Sequence, residues 1–152
     1  MDPETSPLLN QINLIVRDLD ASIAFYRRLG LDLRPSTERG WAPHHASALL
    51  PNGMRLELDT VASSRLWNPH GNHQPGGGNV LFFGLRSRPA VDELFAAMTS
   101  AGYRAQQEPT DGFWGARYAI LEDPDGNPIG LMSPVDPSLR KPPPPAPGSD
   151  PR

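Results

Sequence analysis

The sequence predicts an α+β protein in which one strand–helix–strand–strand–strand pattern occurs twice. Apolar residues recur at helical spacing in two segments, near residues 19–29 and 89–101, and runs rich in β-branched and aromatic residues flank both. The two patterns begin at Gln11 and Asn79, about seventy residues apart, which indicates an internal repeat. We therefore expect two βαβββ modules.

The first module is expected at residues 10–60. The segment 11–17 has β-branched residues and partial alternation, which predicts a strand. Asp18 can cap the following helix, and Gly30 is suited to end it. A short strand is predicted at 31–34. Two longer strands, at 46–50 and 54–59, flank a Pro-Asn-Gly sequence typical of a hairpin turn.

The second module is expected at residues 79–133 and repeats this order. A strand at 79–86 leads to Pro89, which suits a first helical turn. One apolar helix face is then formed by Val91, Leu94, Phe95, Met98 and Ala101. Three strands follow, at 103–107, 118–121 and 128–132, and the last two flank an Asp-Pro-Asp-Gly-Asn turn.

Between and beyond the modules the sequence is rich in glycine and proline. Residues 61–78 are predicted to form a loop that is either functional or flexible. The two modules together are predicted to form a single domain at residues 10–133. We expect residues 1–9 to be flexible and residues 134–152 to form a disordered, proline-rich tail. The tail is either inert or a ligand for a proline-recognition domain.

Composition excludes several classes of function. The chain has 152 residues, a net charge of -3 and no cysteine, so disulfides and thiolate metal sites are excluded. No basic surplus indicates a nucleic-acid footprint, and no apolar run approaches the ~20 residues that a membrane span needs. Acidic residues replace the basic start of a signal peptide, so we expect a soluble, cytoplasmic protein.

Two segments resemble the signatures of one family. Residues 14–30 read Leu-Ile-Val-Arg-Asp-Leu-Asp-Ala-Ser-Ile-Ala-Phe-Tyr-Arg-Arg-Leu-Gly and resemble the first strand and helix of the vicinal oxygen chelate superfamily. This group holds glyoxalase I, extradiol dioxygenases and bleomycin-resistance proteins. Residues 114–127 read Trp-Gly-Ala-Arg-Tyr-Ala-Ile-Leu-Glu-Asp-Pro-Asp-Gly-Asn and resemble its second signature. The resemblance implies curved mixed sheets around a cavity, and a homodimer.

The metal-ligand places of that family are poorly filled here. The resemblance assigns them to Gln11, Glu57, Asn79 and Gly130. Two amides, one carboxylate and a glycine would bind a divalent metal poorly, because such ions prefer several imidazole or carboxylate donors. The resemblance therefore implies a metal-independent branch without a cofactor; if a metal were bound, Gln11 and Glu57 would be the ligands.

Aromatic and polar residues outside the helix stripes are the candidate ligand contacts. A flat, amphipathic ligand suits an aromatic wall with a few polar groups. Each residue could instead serve structure or face solvent. The predicted ligand-binding residues are Trp41, His45, Arg55, Glu57, Trp67, Phe113, Trp114 and Arg117.

We therefore predict a protein that sequesters a small aromatic or amphipathic molecule, for which an antibiotic is one candidate, and has no catalytic residue. The alternative is a metal-dependent lyase, isomerase or dioxygenase-like enzyme with a displaced metal site. That enzyme would combine Gln11 and Glu57 with one histidine, chosen from His44, His45, His70 and His73. A third alternative is a regulatory protein that binds a partner through its proline-rich tail.

Overall fold

The computed structural model describes residues 6–145 of the chain. Residues 1–5 of the predicted flexible N-terminus and residues 146–152 of the predicted disordered tail lie outside the described residues. The chain divides into two compact units after Gly77. No helix within residues 6–145 has the length and apolar character needed to cross a membrane.

The first unit contains the first predicted module. Its elements are β1 (Gln11–Val16), α1 (Leu19–Arg28), β2 (Arg34–Pro35), β3 (His45–Leu49), β4 (Arg55–Thr60) and α2 (Val61–Trp67). The four strands form one mixed sheet in the order β1-β4-β3-β2, with β1 parallel to β4 and the other pairs antiparallel.

The first sheet has one apolar face and one polar face because side chains alternate along each strand. Leu14, Leu58 and Ala46 are buried on the apolar face, where α1 contacts β3 and β4. Phe25 and Tyr26 are the fully buried aromatic residues of α1. The opposite, polar face carries the odd-numbered residues of β1, β3 and β4.

Helix α2 corrects the sequence prediction, which placed a loop over residues 61–78. Thr60 caps this helix, accepting a hydrogen bond from the Ser63 amide at 3.2 Å. Ser63 and Ser64 disfavour a helix when taken alone, because their hydroxyls compete for backbone hydrogen bonds. Both serines are buried, so contacts of α2 with β1 and β4 stabilise a helix that local preference does not predict.

The second unit has the same strand order as the first. Its elements are β5 (Leu81–Gly84), α3 (Arg88–Ser100), β6 (Ala105–Asp111), β7 (Arg117–Glu122), β8 (Pro128–Met132) and a 3₁₀ turn (Pro137–Leu139). The sheet order is β5-β8-β7-β6, with β5 parallel to β8. The predicted repeat of βαβββ modules is therefore confirmed, with α2 as an addition to the first.

The Asp-Pro-Asp-Gly-Asn turn has a structural role in the second unit. Asp123 is 4% exposed, and one of its oxygens accepts from the amides of Asp125 and Asn127 at 2.9 and 2.8 Å. Its other oxygen accepts from Asn127 Nδ2 at 2.8 Å. These bonds hold the tight connection between β7 and β8.

The beginning of the predicted disordered tail has defined backbone contacts. The Asp136 amide donates to the Gly115 carbonyl at 2.9 Å, and the Lys141 amide donates to the Phe113 carbonyl at 2.8 Å. Gly115 has φ +97°, and a side chain there would overlap the Asp136 carbonyl. Residues 136–141 thus follow the β6–β7 connection, because a glycine lets the two backbones approach closely.

Candidate functional site

A cleft of about 520 Å³ opens in the first unit. Trp41 and Trp67 supply its aromatic lining. The polar face of the first sheet supplies Gln11, Asn13, His45 and Asp59. Ser36, Glu38 and Ser63 complete the lining. All of these residues lie within the first unit.

Strand register brings the polar residues of the cleft together. Asn13 is paired with Glu57 across the parallel β1–β4 ladder, and His45 is paired with Asp59 across the antiparallel β3–β4 ladder. Paired residues in neighbouring strands project from the same face of a sheet. Residues from β1, β3 and β4, which are distant in the sequence, therefore share one face of the sheet.

Asp59 is the centre of a hydrogen-bond network on the cleft floor. It is only 2% exposed. Its Oδ2 accepts from Asn13 Nδ2 at 2.9 Å, and its Oδ1 accepts from Ser63 Oγ at 2.9 Å. His45 Nδ1 also lies 2.9 Å from Oδ1. A buried carboxylate needs such donors to replace its lost hydration.

Glu57 lies on the other side of the His45 ring. Its Oε1 accepts from Arg55 Nε at 2.8 Å and from Ser47 Oγ at 3.2 Å. His45 Nε2 is 3.1 Å from Oε2, close enough for an ion pair. This contact is not aligned as a hydrogen bond, so the buried Oε2 lacks a hydrogen-bond partner among residues 6–145.

A second cleft of about 490 Å³ adjoins the first. Ser36 and His45 line both clefts, so the imidazole stands at their common wall. Arg55 and Glu57, two predicted ligand contacts, line the second cleft and not the first. A ligand in the aromatic cleft would therefore meet His45 before it met Arg55.

Local turns hold the two tryptophans of the cleft. The Trp41 amide donates to the Glu38 carbonyl at 3.0 Å, and the His44 amide donates to the Trp41 carbonyl at 2.8 Å. Trp67 is the last residue of α2, whose end is marked by the Asn68 amide donating to the Ser64 carbonyl at 2.9 Å. The Trp67 side chain is 52% exposed, which leaves much of its surface open to a ligand.

Of the predicted contacts of the second unit, Phe113 and Trp114 lie together, and Arg117 pairs with acidic side chains. The Trp114 ring lies 5.2 Å from that of Phe113 and 5.0 Å from that of Tyr118. Arg117 donates from Nε to Asp92 at 2.8 Å and from NH1 to Asp111 at 3.0 Å. These hydrogen bonds, first that with Asp92, raise the pKa of Arg117. Its guanidinium thus serves to join α3 to β6.

The other histidines are dispersed. His44 Nδ1 lies 3.1 Å from Thr60 Oγ1, and His73 Nδ1 lies 2.8 Å from Ser64 Oγ. His73 Nε2 is buried and has no hydrogen-bond partner in the described part of the chain. His70 is exposed. Within residues 6–145, no three His, Asp or Glu side chains are grouped so that they could hold a metal ion.

Of the places that the resemblance assigns to metal ligands, only Glu57 carries a charged donor. Gln11 is exposed, and its amide nitrogen donates to Asn13 Oδ1 at 2.7 Å. Phe82 is paired with Gly130 across β5 and β8, and a side chain at Gly130 would overlap the Phe82 ring. The Phe82 ring therefore occupies the space that a metal-binding side chain at position 130 would need. Glu57 Oε2 lies 3.1 Å from His45 Nε2, and one carboxylate by itself is a weak divalent-metal site.

Sequence reasoning missed several residues of the cleft. Asp59 could have been found, because it lies two positions after Glu57 on one strand and so faces the same side. Asn13 could have been found in the same way, because it lies two positions after Gln11 on β1 and faces the same side. No sequence signal marks the remaining ones, which are Ser36, Glu38 and Ser63.

Comparison with known proteins identifies the family to which the sequence is similar. A model of the Glyoxalase/Bleomycin resistance protein/Dioxygenase superfamily matches residues 8–131. No curated protein sequence matches the chain.

Several solved structures share the fold. A glyoxalase-related enzyme from Fulvimarina pelagi has a TM-score of 0.72 at 21% identity, over 85% of this chain and 89% of that one. Protein ATC0852 from Agrobacterium tumefaciens has a TM-score of 0.68 at 26% identity, over 86% and 100% of the two chains. A lactoylglutathione lyase from the same organism has a TM-score of 0.64 at 20% identity, over 85% and 95%.

Proposed function

We propose that this chain, which belongs to the Glyoxalase/Bleomycin resistance protein/Dioxygenase superfamily, binds a small aromatic or amphipathic molecule in the first-unit cleft without a metal ion. One observation carries the proposal: Trp41 and Trp67 line the same cleft as the hydrogen-bonded His45–Asp59 pair. An antibiotic is one candidate for the ligand.

The dimensions and lining of the cleft support binding of a small molecule. Its volume of about 520 Å³ lies within the usual range for ligand sites. Two indole rings offer a large apolar area at a low cost in side-chain entropy. Asn13, Ser63 and His45 hold the floor in place through Asp59, so the polar groups are positioned before a ligand arrives.

Sequestration is favoured over metal-dependent turnover by the donor set. Gln11 supplies only a neutral amide oxygen, and Gly130 supplies no side chain and is covered by Phe82. The lactoylglutathione lyase of Agrobacterium tumefaciens is similar in fold, and at 20% identity the likeness concerns the fold alone. A metal enzyme built on this chain would need a ligand set other than the one that the resemblance assigns.

Metal content tests this part of the proposal. The full chain would be produced with iron, nickel, zinc and manganese supplied, and its metal content would be measured by elemental analysis. We expect far less than one equivalent of every metal. One equivalent of a single metal, lost in Glu57→Gln but retained in Glu122→Gln, would overturn metal-independent binding. Glutamine is preferred to alanine because Glu57 is buried and accepts hydrogen bonds from Arg55 and Ser47.

Ligand binding is tested on the tryptophans. We would measure quenching of tryptophan fluorescence by 1-methylnaphthalene and other small aromatic probes. Trp67→Ala is expected to weaken binding about tenfold or more, since it removes half of the aromatic lining. Leu66→Ala is the matched control, because Leu66 is an exposed neighbour on α2 that does not line the cleft, and it should leave affinity unchanged. Equal affinities in Trp67→Ala and the wild type would place binding outside this cleft.

We also propose that the protein forms a homodimer, as the resemblance implies. Sedimentation equilibrium of the full chain is expected to give twice the mass of 16.6 kDa. A monomer at high micromolar concentration would contradict the dimer without affecting the cleft, since the cleft residues all belong to one unit.

A further inference from the structure

We infer that the ligand of the first-unit cleft is an organic cation with a flat aromatic face. This inference rests on the proposed binding function and names the chemical class of ligand. It follows from the charges that line the cleft together with the two tryptophans.

The charged groups of the cleft are acidic. Among the described residues, its lining holds the carboxylates of Glu38 and Asp59 and no lysine or arginine. Two of the donors to Asp59, Asn13 and Ser63, are neutral, so they satisfy its hydrogen-bonding capacity without cancelling its charge. An anionic ligand would meet these carboxylates, and no lysine or arginine of the described lining would offset them.

The charged side chains next to the cleft floor do not reverse its negative charge. Glu57 adds a third carboxylate beside His45, and Arg55 adds one guanidinium that is bonded to Glu57. His45 lines the cleft between two of these carboxylates, with Nδ1 2.9 Å from Asp59 Oδ1 and Nε2 3.1 Å from Glu57 Oε2. The three carboxylates outnumber the Arg55 guanidinium and the His45 ring taken together, so the charge around the floor favours a cation.

The tryptophans favour the same class of ligand. Indole is the aromatic side chain that attracts cations most strongly through its ring face. Trp41 is half-buried and Trp67 is 52% exposed, so both rings have surface available to a ligand. A flat aromatic cation gains from stacking on indole and from the nearby carboxylates at once, whereas a neutral aromatic molecule gains only from stacking.

A set of three bicyclic aromatic probes of similar size separates charge from shape. We would titrate the full chain with 1-methylquinolinium, its neutral analogue 1-methylnaphthalene, and the anion 1-naphthoate, following tryptophan fluorescence and calorimetry. The cation is expected to bind about tenfold more tightly than the neutral probe, which corresponds to about 1.4 kcal/mol. The anion is expected to bind most weakly. A higher salt concentration should lower the affinity of the cation only, because Glu38 is exposed and its charge is screened by salt.

A charge variant tests the source of this preference. Glu38→Gln keeps the size of an exposed side chain and removes its charge, so it should lower the cation's affinity several-fold and leave the neutral probe unaffected. Asp20→Asn is the control, because Asp20 is an exposed carboxylate of α1 outside the cleft. An equal loss in both variants would overturn the role of Glu38.

The outcomes distinguish the two proposals. The neutral or the anionic probe could bind as tightly as the cation and lose affinity in Trp67→Ala. That result would overturn the cation preference and keep the proposed binding function. Failure of all three probes to bind up to the solubility limit of each would contradict both. Preferential binding of the cation that is lost in Trp67→Ala would support both.

Discussion

His45 Nδ1 lies 2.9 Å from Asp59 Oδ1, and the two residues are direct partners in the β3–β4 ladder. A pair set by strand register is held by the backbone as well as by its own hydrogen bond. Asp59 also receives hydrogen bonds from β1 and α2, so a single carboxylate joins three elements of the first unit and the wall of the cleft.

Asp59→Asn should destabilise the protein. The amide offers one acceptor oxygen instead of two and turns a donor towards Asn13, Ser63 or His45. We expect a loss of about 1–3 kcal/mol in the free energy of unfolding, measured by urea denaturation. Asp20→Asn, on the exposed side of α1, is the control. A loss no larger than that of the control would show that the network contributes little.

Gly130→Ala should destabilise the second unit, because a Cβ at this position overlaps the Phe82 ring. Phe82 is 49% exposed, so its ring can move, and the expected cost is about 1–3 kcal/mol. A double-mutant cycle with Phe82→Ala checks the cause, since removing the ring should remove most of the cost of Gly130→Ala. Additive effects of the two substitutions would contradict direct contact.

Gly115→Ala should release residues 136–141 from the β6–β7 connection. Alanine at φ +97° is strained by roughly 1–2 kcal/mol, and its Cβ would also overlap the Asp136 carbonyl. Gly102→Ala is a matched control, with the same φ of +97° and open space around the new Cβ. Hydrogen exchange at the Asp136 and Lys141 amides should speed up only in Gly115→Ala. Unchanged exchange would show that the tail contact does not need glycine.

Stability in acid should depend on Asp111. The hydrogen bond from Arg117, assisted by the charge of Arg88, lowers the pKa of Asp111 below its ordinary value. A carboxyl whose pKa is lower in the folded state stabilises that state above the unfolded pKa of about 3.9, and the contribution is lost as pH falls through the folded pKa. Asp111→Asn should therefore flatten the decline in stability below about pH 4. Glu93→Gln, an exposed site on α3, should leave that decline unchanged, and equal slopes in both variants would contradict the effect.

The order of the elements could be predicted from the sequence because it depends on local patterns. The spacing of Val91, Leu94 and Met98 indicates a helix whatever it packs against, and glycine at 30 and 102 has positive φ as a helix end requires. The same reasoning found the repeat, since both units use one strand order. It failed for α2, where Ser63 and Ser64 are helical only because they are buried against the sheet.

The sequence by itself determined the βαβββ repeat, the family signatures and the presence of Trp41, Trp67 and His45 as candidates. Only the tertiary structure decided which of the candidates share a surface. Strand register placed His45 between Asp59 and Glu57, and the end of α2 placed Trp67 in the cleft that Trp41 lines. Arg117 was directed to Asp92 and Asp111 instead. The physical reason is that helix and strand periods act over a few residues, whereas a binding surface is assembled by pairing between distant strands.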